Sequence, residues 1–147
     1  MSANAIRIPE SATNFLPFVK GSHKEALGYS FYPNYAHLLV AAAAYGRYLG
    51  EYSKDPEFKE RDPLPIAIEI FKSQNLWELC TVMALDHLKN VEVVEDPPSI
   101  CRVVEGLADS GFEGMGELLE FAGGPEGFKE AWREIVLRAA MEVQGED

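Results

Sequence analysis

Apolar positions along this chain fall mostly at helical spacing. Tyr35, Leu38, Leu39, Ala42, Tyr45 and Leu49 repeat every three or four residues behind Asn34, a ready N-cap. The pattern predicts a helix ending near Gly50 or Tyr52, and the alanines 41–44 strengthen it. Small residues on this helix would let a neighbour approach closely. A second helix is predicted behind Asn75, with Leu76, Leu79, Cys80, Met83 and His87 or Leu88 on one face and Lys89 at its end. Asp96 followed by Pro97 predicts another start. There Ile100, Val103, Val104 and Leu107 would face a core, with Arg102, Glu105 and Asp109 outside. Gly111 should end or bend that helix. Met115, Leu118, Leu119 and Ala122 make the next, which Gly123–Gly124 stop. Pro125 opens a last helix carrying Phe128, Trp132, Ile135, Ala139 and Val143 in register.

The remaining segments are less periodic. Residues 1–10 read as a flexible arm with a short extended piece at Ile6–Ile8. Ser11 could cap a short helix that Pro17 limits. Gly21 to Pro33 reads as an aromatic loop. Residues 53–65, with Pro56, Pro63 and Pro65, read as a mobile loop. Ile66, Ile68 and Ile70 alternate like a strand, yet Ile66 and Ile70 also lie one helical turn apart, so both forms stay open. Val91–Glu95 is a connector. The fold class expected is mainly α: one compact helical domain over 1–147, of about five helices with at most a short β element.

Charge changes this picture. The 147 residues carry 13 Lys+Arg against 24 Asp+Glu, a net charge of −11. Residues 1–90 hold ten acids and nine bases, hence −1; residues 91–147 hold the other fourteen acids and four bases, hence −10. A field of that sign repels phosphate backbones and attracts basic surfaces. The apolar share of 47% is that of a globular chain, which excludes a disordered acidic tail. The longest apolar run, Leu38 to Tyr45, falls far short of the roughly 18 residues of a membrane span. With no signal-peptide pattern and only two cysteines, a cytoplasmic protein is expected.

Catalytic signatures do not emerge. His23, His37 and His87 lack metal-ligand spacing, and a hydrogen-bonded, semi-buried His37 is expected. Cys80 sits on a core face; Cys101 stands near a helix start, a position that lowers a thiol pKa. The glycine-rich pieces at 111–116 and 123–127 lack the Lys-Ser/Thr of a phosphate loop. No enzyme activity, cofactor or metal is expected. All six tyrosines lie within 24 residues, from Tyr29 to Tyr52, and Lys20, His23, Lys24, Arg47 and Lys54 flank or interleave them. Tyr29, Tyr32, Tyr45, Tyr48 and Tyr52 are candidate partner contacts, and the ridge Glu113, Glu117, Glu120 is a second candidate surface. The basic residues Lys20, Lys24, Arg47 and Lys54 are the alternative, a weak nucleic-acid contact. The pI near 4.7 disfavours that alternative.

The blocks "LLVAAAAYG", "RDPLPIAIEIF", "LWELCTVMALDHLKNVEVVED" and "ICRVVEGLADSGFEGMGELL" stand in this order over residues 34–122. Their sequence of an Ala-rich helix ending in Gly, an extended piece, a helix and an acidic Gly-broken helix resembles the small Dnd system-associated proteins of the fourth type. One departure is the break Leu107-Ala-Asp-Ser-Gly-Phe112, where that family has a more aromatic run. The resemblance implies a non-enzymatic accessory or regulatory subunit of a bacterial defence system linked to DNA phosphorothioation. It would bind larger proteins of a DNA modification or restriction complex, with self-association possible, and brings no catalytic residues to carry over. An acidic, nucleic-acid-mimicking regulator of a basic partner is the alternative.

Overall fold

A computed structural model describes residues 4–20, 31–61 and 63–145, without the side chains of 140 and 142–145. The fold is mainly α. Five α-helices run α1 Tyr35–Leu49, α2 Ile68–Ser73, α3 Trp77–Leu88, α4 Pro97–Ala122 and α5 Pro125–Gly145. Two 3-10 helices, Glu10–Phe18 and Val91–Glu95, and a two-stranded antiparallel sheet complete the described elements. The chain divides into two compact units, Met1–Gly114 and Met115–Asp147.

In the first unit, α1 begins and ends where its pattern predicts. Asn34 caps it by accepting from the His37 amide at 2.9 Å, and Gly50 closes it with a φ of 73°. The small residues of α1 do admit a close neighbour. A Cβ at Gly111 of α4 would strike the carbonyl oxygen of Ala42, and one at Gly46 would strike that of Leu107. The two backbones touch here, so neither position has room for a side chain. Gly111 therefore does not end its helix: α4 runs unbroken for 26 residues, and the glycine marks a close approach of α1. Phe15 stacks on Phe112 with ring centroids 5.9 Å apart, and both rings are buried.

The N-terminal residues correct the expectation of a flexible arm. Ala5–Ile6 (β1) pairs antiparallel with Ile66–Ala67 (β2), with Ile6 opposite Ile66. Ile6 and Ile8 are buried, because alternation on an extended segment sends both to the same side. The proline-rich loop is held as well. Lys59 donates its amide to Ile8 O at 2.8 Å, and Glu10 donates to Glu57 O at 2.8 Å. Proline placed the loop correctly in sequence, but these bridges tie it to the chain start. Pro9, rather than Ser11, stands at the cap of the first 3-10 helix. The aromatic loop falls largely in 21–30, outside the described residues.

The open choice at Ile66–Ile70 resolves in favour of both forms. Two residues of strand lead directly into α2. Asn75 does not cap α3. It takes a left-handed turn at φ 60°, which asparagine tolerates, and Leu76 holds the cap position without a side-chain bond. Lys89 ends α3, also left-handed at φ 55°. Asp96 does start α4, accepting from the Ser99 amide at 3.3 Å and the Ser99 hydroxyl at 2.7 Å. In the second unit, Phe128 is fully buried and stacks on Trp132 at 5.9 Å, and positive φ values at Gly123 and Gly124 separate α4 from α5.

Candidate functional site

The interval of tyrosines does not form one surface. Tyr45 and Tyr48 lie a near-turn apart on α1 and stack at 6.2 Å, with Tyr48 exposed. Tyr52 packs its ring against Gly106 and His87, the latter with centroids 4.2 Å apart. Tyr32 is a correction. It is only 7% exposed, because its amide donates to Phe18 O and its carbonyl accepts from Lys20, which draws the ring into the core. Burial pushes its phenol pKa up, and its hydroxyl has no partner among the described residues. Tyr29 and Lys24 lie outside those residues. Lys20 is exposed. Arg47 is exposed too, but it pairs with Asp86 at 2.9 Å, and Lys89 joins that carboxylate at 3.2 Å. These bonds, Arg47's first, hold the Asp86 carboxyl below its ordinary range.

Glu113, Glu117 and Glu120 are all exposed on α4, as the ridge predicts. Phe121, one residue on, is 91% exposed. A ring so open beside carboxylates is unusual enough to be a contact candidate. The first unit has its own apolar exposures: Leu79 and Val82 on α3, and Val91 and Val94 on the 3-10 helix that follows.

Glu105 and Asp109 do not face outward. Glu105 is 3% exposed, and its carboxylate accepts from the Arg7 amide at 2.7 Å, Arg7 Nε at 3.0 Å and Arg7 Nη2 at 2.8 Å. This is a bidentate, charge-assisted pair with a third bond from the backbone. Asp109 accepts from the Ser11 hydroxyl in the same way. The Glu105 bonds raise the Arg7 pKa further, and the guanidinium lies over the Phe58 ring at 3.9 Å.

That pair lines a groove of about 340 Å³ together with Tyr52, Lys54, Asp55, Phe58 and Arg102. Burial, and then the charge of Glu105, raise the Tyr52 phenol pKa above its ordinary value. On the other side of Tyr52 a cleft of about 220 Å³ holds Arg47, Asp86 and His87. Sequence reasoning found Lys54 but missed Arg7, Arg102 and Glu105, whose meeting depends on a contact across 98 positions.

Chemistry elsewhere is plain. His37 is half-buried and its Nδ1 lies 3.0 Å from Asn34 Oδ1, as expected. Cys80 and Cys101 are free thiols and both are buried. The position of Cys101 near a helix start does not lower its pKa. Burial and the charge of Glu105 push it up to about 11, and burial pushes Cys80 up to about 12. Among the described residues, no three His, Cys, Asp or Glu side chains cluster as metal ligands, and no helix is long and apolar enough to cross a membrane. Comparison of the chain with family models, with curated proteins and with solved structures finds no match.

Proposed function

We propose that the protein is a non-enzymatic accessory or regulatory subunit of a bacterial, DNA phosphorothioation-linked restriction or defence system. It works in the cytoplasm through protein–protein contacts. The block order over residues 34–122 supplies the setting. The observation that carries the mode of action is Phe121, almost wholly exposed beside Glu117 and Glu120 on α4. An aromatic anchor inside an acidic ridge suits a basic partner: the ring supplies desolvated contact area, and the carboxylates steer the encounter. The stacked Tyr45 and Tyr48 and the α3 exposures offer further contact area.

Capture of the tagged protein at native expression level in its host tests this reading. A larger protein of a DNA modification or restriction complex should co-purify, and Phe121→Ser should lose it while keeping its helical circular dichroism. Recovery of no such protein, or equal recovery with Phe121→Ser, would count against it. The exposed row Glu113, Glu117, Glu120 also supports a second reading, an acidic mimic that occupies a DNA-binding surface of the partner. In that case DNA should compete with this protein for the partner; simultaneous binding of both excludes mimicry.

A further inference from the structure

We propose that the groove lined by Arg7 and Glu105 binds a small phosphate-bearing ligand, held by Lys54, Arg102 and the free edge of the Arg7 guanidinium. Three observations lead there. First, the Arg7–Glu105 pair neutralises itself, so what remains at the groove is two cations, Lys54 and Arg102, against one carboxylate, Asp55. A local positive excess on a chain of net charge −11 runs against the molecule's general field.

Second, the cations keep donors in reserve. Among the described residues, Lys54 makes no hydrogen bond or ion pair. Arg102 has only a long 3.4 Å contact to the Pro98 carbonyl. Arg7 commits Nε and one Nη2 proton to Glu105, leaving Nη1 for a ligand, and its side chain is 41% exposed. Third, Arg7 is fixed in advance. The bidentate bond and the Phe58 ring beneath it set the guanidinium plane, so binding costs little further side-chain ordering. Planar, pre-positioned guanidinium with a mobile ammonium is an arrangement suited to phosphate oxygens.

The volume, about 340 Å³, lies at the small end of ligand sites, which favours a phosphate ester or mononucleotide over a larger cofactor. Lys54, Tyr52, Arg7 and Arg102 all belong to the first unit, whereas Phe121 belongs to the second. The site does not depend on the partner surface, and either may fail without the other.

Isothermal titration calorimetry at low salt tests the site, using the full chain with inorganic phosphate, pyrophosphate, AMP and a DNA tetranucleotide with or without a 5′-phosphate. Saturable one-site binding is expected for at least one of the small phosphates. The double variant Lys54→Ala, Arg102→Gln should weaken it about 10-fold or more, since charge-assisted bonds are lost. Both side chains are exposed, so thermal melting should be unchanged, confirming that the variant folds. A preference for the 5′-phosphorylated over the unphosphorylated tetranucleotide would place the same terminal phosphate chemistry on an oligonucleotide end. No saturable binding up to about 10 mM, a range that admits even very weak sites, would overturn the proposal. So would unchanged affinity in the double variant, or tighter binding of the unphosphorylated tetranucleotide than of every small phosphate.

Discussion

Glu105 shows how a charged side chain can be structural. Its carboxylate is almost sealed from water, and among the described residues Arg7 supplies all of its hydrogen bonds. Arg7→Met removes the cation but leaves the backbone amide. A loss of about 2–3 kcal/mol is expected in urea unfolding, below the roughly 3–5 kcal/mol of a fully buried pair because the Arg7 end reaches solvent. The cysteines make a second residue-scale prediction. Their folded pKa values, about 12 for Cys80 and about 11 for Cys101, lie above the ordinary 9.0. The unfolded chain therefore ionises first as pH rises. The stability these thiols contribute is complete below pH 9 and is lost as pH climbs toward 11–12. Cys80→Ala, Cys101→Ala should lose less melting temperature across that window than the parent chain does. Both thiols should also resist disulfide reagents until the chain unfolds. At this scale the sequence was legible where partners are local: Asn34 and His37 are three residues apart. It was not legible at Glu105, where spacing among core residues put an acid on the outside and a bond from Arg7 drew it in.

Helix α4 carries the clearest element-scale contrast. Gly111 meets the backbone of Ala42, while Gly116 on the same helix has open space around its Cα. Gly111→Ala should cost about 1–3 kcal/mol, since a backbone cannot move aside as a side chain can. Gly116→Ala should instead gain about 0.5–1 kcal/mol through helix propensity alone. Melting curves of the two variants check both signs. Element ends were readable from Asn34, Gly50, Asp96 and Gly123–Gly124, each of which acts locally: Asn34 and Asp96 by side-chain caps, the glycines by left-handed or open backbone conformations. Gly111 misled because a glycine at a close approach of two helices and a glycine at a helix end look the same in one chain. The N-terminal arm misled because two residues of strand carry almost no periodicity, and their partner lies about sixty positions on.

For the whole molecule, the fold class was legible, since helical spacing dominates the chain. The surface was legible in charge but not in apolar exposure. The periodic pattern put Leu79 on the core face of its helix and passed over Val82 and Phe121; only packing tells which rings and branches are left outside. Residues 91–147 carry most of the acidity, while the groove of the first unit carries a local positive excess. The account assigns the first to a basic protein partner. The measurement that tests this most directly is the dissociation constant of the purified partner complex against salt, for the parent chain and for Glu113→Gln, Glu117→Gln, Glu120→Gln. The account predicts a parent affinity that falls with salt, and a triple variant that binds about 10-fold or more weakly at low salt with a flatter salt response. Equal affinity and equal salt dependence in the two proteins would contradict it.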